Sequence, residues 1–393
     1  MFQAPLSWFA KAQTWGLSPG YDQQDQGFQR PILPVCVSCH AGSAGRGIGC
    51  ADCHGEGPNH RVVNPAKLSL RLADEICMRC HQDGDVRVLQ PGKREGEFRP
   101  GQRLSETVAL FRIPGAASTG LLDHHRALAT SRCFTASGGK LACLSCHDPH
   151  GGQPDYRAKC LGCHAKRPCT LPRKQRGAAD NCTGCHMPKR EERQISHTAL
   201  TQHRIVRRAG EAEPAEAPNL PGLIYLNGSP QELAPVTLLQ AYAPLADRGA
   251  LYQRRYLELL EQARRSDPEH PFVLAALGRK ALRENDPRAA EYLARAVGAG
   301  AISPVPYQDL AEAWTRAGRP EKAARALREG IGRFPYAAVL QKLLASRYID
   351  LHDYPAARST ITHYLELFPE DSFMRGMLRK FDAAYSNRSI SPR

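Results

Sequence analysis

The sequence predicts a mainly α protein in two chemically unlike parts, an irregular cysteine-rich first half and a regular helical array after it. Three observations carry this expectation. All 14 cysteines of the 393 residues stand at or before Cys185. Twelve of them form six C-x-x-C pairs, each followed at once by a histidine. Beyond residue 235 an apolar helical pattern recurs at steps of 33 and 34 residues.

The six pairs are Cys36-Val-Ser-Cys39-His40, Cys50-Ala-Asp-Cys53-His54, Cys77-Met-Arg-Cys80-His81, Cys143-Leu-Ser-Cys146-His147, Cys160-Leu-Gly-Cys163-His164 and Cys182-Thr-Gly-Cys185-His186. Two thiols on one helical turn reach the two vinyl groups of one porphyrin, and the next residue lies under the iron as its proximal ligand. Zinc sites also use cysteine pairs, but they fix no histidine directly after each one. The expected cofactor is therefore covalently attached heme c, in six copies. The proximal ligands are His40, His54, His81, His147, His164 and His186.

The second axial ligands follow from a count. Of 15 histidines, six are proximal and three (His270, His352 and His363) lie in the second half, where they read as surface or groove residues. The remainder is His60, His124, His125, His150, His197 and His203. Six irons and six spare histidines fit a mostly bis-histidine module. His124 and His125 are the exception, because neighbouring side chains on a helix point about 100° apart. One of the two is expected to ligate, without the sequence deciding which, and one iron could then stay open or take another ligand. Met78 and Met187 sit in or beside attachment motifs, so methionine ligation is not expected and low potentials are.

Successive motifs start 14, 27, 66, 17 and 22 residues apart. Such short intervals leave little chain to build a core around each porphyrin, so the hemes should supply most of the apolar interior, with short helices and loops on their faces. The 66-residue interval reads as a loop-rich insert around Pro91-Gly92 and Pro100-Gly101, leading to a helix near Leu121–Thr130. Cys133 and Cys169 remain, and an even remainder in an oxidising compartment suggests a disulfide, with free thiols as the alternative.

The net charge of +14 is scattered (Arg94, Arg99, Arg103, Lys166, Arg167, Arg173, Arg190, Arg207 and Arg208), which fits heme propionates and solvated surface. No nucleic-acid motif accompanies it, so no nucleic-acid partner is expected. No run approaches the roughly 20 apolar residues of a transmembrane helix. Heme is ligated to cytochromes c outside the cytoplasm, so a periplasmic or extracellular location is expected. The opening residues, with Pro5 and Lys11, do not form a signal peptide, which is read as a truncated start.

Residues 209–235 are rich in Pro, Ala and Glu and read as a linker. After them Leu277-Gly278, Leu310-Ala311 and Leu344-Ala345 recur in register, each followed at a constant offset by Ala290, Ala323 or Ala357. Trp314 and Tyr348 share one large aromatic position, and Pro335 and Pro369 close two units. These positions resemble the tetratricopeptide (TPR) repeat, two antiparallel helices per unit. Pro268 falls in register for a degenerate first unit, and a capping helix is expected near Met377–Tyr385.

Ser131-Arg-Cys-Phe134, Cys146-His-Asp-Pro-His150, Cys185-His-Met-Pro188 and Thr201-Gln-His-Arg-Ile205 resemble a family of bacterial multiheme c-type cytochromes with C-terminal TPR repeats. The resemblance implies His60, His150, His197 and His203 as distal ligands. The expected fold class is thus mainly α, an irregular heme-packed multiheme cytochrome domain followed by an α-helical TPR solenoid. The boundaries are 1–208 for the hexaheme domain, 209–235 for the linker and 236–393 for the repeats. The expected function is electron transfer, with the repeats docking a redox partner protein or complex. The alternatives are a multiheme oxidoreductase with one open heme acting on a small nitrogen or sulfur compound, and a subunit of a cytochrome assembly, filament or homo-oligomer.

Overall fold

In the computed structural model, residues 2–388 are described apart from 10–12, 19, 22–29, 31, 33, 41–46, 57–61, 83, 116–122, 153, 167–168, 177–179, 192–198 and 209. The chain divides into two compact units, with the main boundary between Leu233 and Ala234.

The first unit opens with a hairpin, β1 (Leu6–Phe9) and β2 (Thr14–Leu17), in which Trp8 pairs with Trp15. Short helices follow: α1 (Pro34–His40), α2 (Cys50–His54) and α3 (Leu70–His81). After β3 (Val86–Leu89) and β4 (Val108–Arg112) come α4 (His124–Ala129), α5 (Arg132–Ala136), α6 (Cys143–Cys146), α7 (Tyr156–His164) and α8 (Cys182–His186). The unit ends with β5 (Lys189–Glu191), β6 (Ala199–Thr201) and β7 (Ile224–Tyr225).

The long insert is more than loop. Its strands β3 and β4 join β7 in an antiparallel sheet with β4 in the centre. Val108, Ala109, Leu110 and Phe111 are fully buried, the short continuous apolar run expected of a strand covered on both faces. Helix α3 lays Ile76 and Met78 against Leu104, Val108, Leu110 and Phe98. Gly84 sits where a Cβ would come within 2.5 Å of the Phe111 carbonyl oxygen, so only glycine lets the chain pass this close to β4. This part of the unit has a protein core of its own.

The stretch 209–235 corrects the sequence reading. It is no free linker, because Leu223, Ile224 and Tyr225 are buried in the sheet. Asn227 replaces a missing strand partner: its Nδ2 donates to the Val108 carbonyl at 2.8 Å and its Oδ1 accepts from the Leu110 amide at 3.0 Å. Glu216 accepts from Arg126 at 2.7 Å. A polar, proline-rich composition is compatible with this packing because its few apolar residues and one amide satisfy a strand edge that would otherwise be orphaned.

The second unit is a helix array: α9 (Pro235–Tyr242), α10 (Ala250–Ser266), α11 (Pro271–Arg283), α12 (Ala289–Gly298), α13 (Val305–Arg316), α14 (Pro320–Arg333), α15 (Ala338–Asp350), α16 (Tyr354–Leu367) and α17 (Ser372–Arg388). Helices α11 and α12, α13 and α14, and α15 and α16 pack as consecutive pairs, with α9 and α10 as the preceding irregular unit and α17 capping the end. The recurring small residues lie inside: Ala323 and Ala357 are fully buried and Ala290 nearly so. Trp314 and Tyr348 both pack on the shared core. The unit also takes in the N-terminal segment that the sequence placed in the first domain. Phe2 stands edge-on to Tyr336 and Phe368, with ring centroids 4.7 and 6.4 Å away.

The three histidines here have local roles. The His270 Nδ1 accepts from the Phe272 amide at 3.1 Å and caps α11. His352 turns the chain with a positive φ of 59°. His363 faces Glu366 at 3.0 Å. Among the described residues no helix is long and apolar enough to cross a membrane.

Candidate functional site

Each of the six C-x-x-C-H motifs lies on a helical turn. Five helices (α1, α2, α3, α7 and α8) end on the motif histidine, and α6 ends one residue before it. A cysteine pair at i and i+3 therefore projects from one face of the turn, with the histidine next along. Free cysteine is among the most buried residue types, yet none of the twelve motif cysteines is buried. That exposure is what attachment to a large planar group needs.

The motifs are tied to one another through α3. Arg79, inside the third motif, donates from one amino group to Asp52 Oδ1 of the second motif at 3.2 Å and from the other to the Ser38 carbonyl of the first at 2.8 Å. Its side chain is 10% exposed and that of Asp52 5%, so this is a buried pair. Asp52 also accepts from the Gly49 amide at 2.8 Å, starting α2. One turn earlier, Asp74 Oδ1 accepts from the Cys143 amide at 2.9 Å and sets the start of α6. Gln82 donates to Asp123 at 2.8 Å and accepts from the Arg126 amide at 3.0 Å, which seats α4.

Thiols of different motifs meet. Hydrogen bonding to Cys80 holds the Cys39 thiol down at about 6, and the same contact pushes Cys80 up. Cys77 and Cys143 form a similar pair, with Cys77 lowered and Cys143 raised. Burial and then the neighbouring Cys182 raise Cys160 to about 11. The motif edges thus run together as first to third, third to fourth, and fifth to sixth.

The imidazoles line up as well. His54 and His150 are nearly parallel, with centroids 5.8 Å apart and planes at 21°. His81 and His124 stand at 5.1 Å and 18°, His124 and His203 at 4.0 Å and 17°, and His147 and His203 at 6.1 Å and 30°. Burial, followed by His203, His81 and His147, holds His124 down at about 4, so it is neutral at physiological pH. Burial likewise lowers His203. His125 leaves this row: its Nε2 lies 3.9 Å from Asp74 Oδ2, and its ring is edge-on to Phe134.

Three histidines have their tautomer set by a backbone carbonyl. The Nδ1 atoms of His54, His186 and His203 stand 2.8, 2.7 and 3.0 Å from the carbonyl oxygens of Val63, Val206 and Thr201. A carbonyl only accepts, so each Nδ1 carries the proton and each Nε2 keeps its lone pair, the arrangement of a metal-ligating histidine. The residues therefore fit the heme that the motifs imply. Among the described residues, no three His, Cys, Asp or Glu side chains converge on a common metal position.

His40 and His164 close their helices and are exposed. His60 and His197 lie outside the described residues. The Cys133–Cys169 disulfide is not formed. Cys133 is half-buried near Cys163, whereas Cys169 is exposed with its carbonyl held by Arg176 at 2.8 Å. Some arginines expected at propionates are engaged by the protein: Arg94 with Glu97, Arg103 with Glu232, and Arg173 with Asp180. Arg79, Asp52 and Asp74 were not singled out from sequence. The available signal was opposite charge at the same inner position of two motifs, Asp52 and Arg79.

The sequence matches no family model and no curated protein. Among solved structures the chain is similar to residues 41 to the end of MamA from Desulfovibrio magneticus, at 15% identity and a TM-score of 0.31, over 38% of this chain and 87% of that one. It is also similar to the first TPR domain of human RPAP3, at 19% identity and 0.27, over 32% and 99%. The Sgt2 TPR domain from Aspergillus fumigatus gives 20% identity and 0.27, over 31% and 85%.

Proposed function

We propose that this chain is an electron-transfer protein of the periplasm or cell exterior, carrying six covalent c-type hemes and docking a redox partner protein through its helical repeats. The observation that carries the reading is the set of six C-x-x-C-H turns, three of whose histidines, His54, His81 and His147, stand beside a second imidazole. When bound, the hemes supply one-electron chemistry at low potential, the consequence of two imidazole ligands without methionine. The chain's own part is positional. Paired thiols fix each porphyrin edge, carbonyl-clamped imidazoles present Nε2, and the Arg79–Asp52–Ser38 clasp keeps the first three sites in register. Contacts between thiols of different motifs support closely spaced sites, which electron transfer along the chain requires. The repeat unit supplies a surface for a partner, a role consistent with an array that carries none of the attachment motifs.

The test is spectroelectrochemical titration with paramagnetic resonance of the oxidised protein. The expected result is overlapping one-electron steps, low-spin signals from the bis-histidine hemes, and no spectral change on adding nitrite or hydroxylamine. A high-spin signal that shifts with either compound would instead assign the protein to oxidoreductase chemistry at an open iron.

A further inference from the structure

The spacing of the histidine rings separates those that can share an iron from those that cannot. Metal–imidazole bonds of about 2 Å put the ring centroids of an axial pair about 6 Å apart across the metal. His54 and His150 at 5.8 Å and His147 and His203 at 6.1 Å match that span, and His81 and His124 at 5.1 Å need to part by about 1 Å to reach it. Two of the pairs have nearly parallel planes and the third is tilted by 30°, and two rings on one axis allow either. His124 and His203, at 4.0 Å, are too close to hold an iron between them and touch directly. The four rings therefore form a row, His81, His124, His203 and His147, with one interval for an iron on each side of one ring-to-ring contact.

Resting on the heme reading above, we propose that the second iron is ligated by His54 and His150, the third by His81 and His124, and the fourth by His147 and His203, with the third and fourth hemes forming one coupled pair whose distal ligands face each other. His125 is not a ligand. Its Nε2 is directed to Asp74, whose other oxygen already holds the Cys143 amide. This settles the choice between adjacent histidines that a 100° turn leaves open. It also makes His150, four residues after the fourth motif's second cysteine, the ligand that ties that segment to the second heme. The bond from the Cys143 amide to Asp74 of α3 at 2.9 Å brings the third and fourth motifs together independently of the rings.

The experiment compares holoprotein carrying His124→Ala, His125→Ala, His203→Ala or His150→Ala by paramagnetic resonance, with heme counted in each sample. With six hemes retained, His124→Ala, His203→Ala and His150→Ala should each convert one heme from low to high spin, and His125→Ala none. His124→Gly soaked with imidazole should return to low spin, which separates ligand loss from misfolding. The signal of magnetically interacting low-spin hemes should change in both the His124 and His203 variants and persist in His150→Ala. A high-spin heme in His125→Ala with none in His124→Ala would overturn the assignment, as would loss of the interacting signal in His150→Ala alone. Wild-type protein lacking hemes would instead refute the functional reading itself, so the two failures are distinct.

Discussion

Replacing Arg79 by alanine is expected to lower the unfolding midpoint of the first unit by on the order of 10 °C, from a loss of about 3–5 kcal/mol. The size follows from burial. The Asp52 side chain, 5% exposed and bonded also by the Gly49 amide, would lose the guanidinium beside it. The Ser38 carbonyl loses its donor at the same time. Helices α1 and α2 would then lose their shared anchor on α3, and heme attachment at the first two motifs should fall more than at the last two. The double change Arg79→Met with Asp52→Leu removes both charges and should recover most of the midpoint, since the cost lies in a buried carboxylate that has lost its guanidinium. Thermal melts followed at the heme absorbance, with peptide mapping of heme-bearing cysteines, check both parts. An unchanged midpoint in Arg79→Ala would mean that the clasp is not what holds the motifs together.

The largest effect expected in the repeat unit is at Leu293. This side chain is fully buried, and its Cγ lies 2.5 Å from where a Cβ on Gly278 would stand. The close approach of α11 and α12 is thus built from a glycine on one helix and a leucine on the other. Leu293→Ala removes the filling half of that contact without letting the helices close, and should cost about 2–5 kcal/mol. In a repeat array each unit leans on its neighbours, so the loss should lower the midpoint of the whole helical transition by on the order of 10 °C. Circular dichroism at the helical band is the readout, and the heme-monitored transition is the control. Leu293→Met, which nearly conserves volume, should cost far less.

How much of this was legible in the sequence depended on whether the signal was local. The C-x-x-C-H turns, the helix carrying His124 and His125, and the register of Gly278, Ala311 and Ala345 are local patterns, and they fall on the expected elements. Strand β7 was hidden because it pairs with β4 across more than a hundred residues, from a stretch whose proline and glutamate content reads as linker. Asn227, whose place before Gly228 is the local pattern of a turn, instead bridges two backbone groups of β4. The Arg79–Asp52 clasp was masked by the motifs themselves, whose inner positions are ordinarily treated as spacers. The direction of His124 against His125 depends on where Asp74 and His203 stand, which no local pattern encodes.

The most direct measurement is the number of hemes that stay on the denatured chain, from pyridine hemochrome absorbance against protein concentration and intact mass. Six covalently retained hemes per chain, mapped to the six cysteine pairs from Cys36 to Cys185, are the predicted result. A chain produced with a working heme-attachment system that carries none, or holds only a metal released by denaturation, would contradict it.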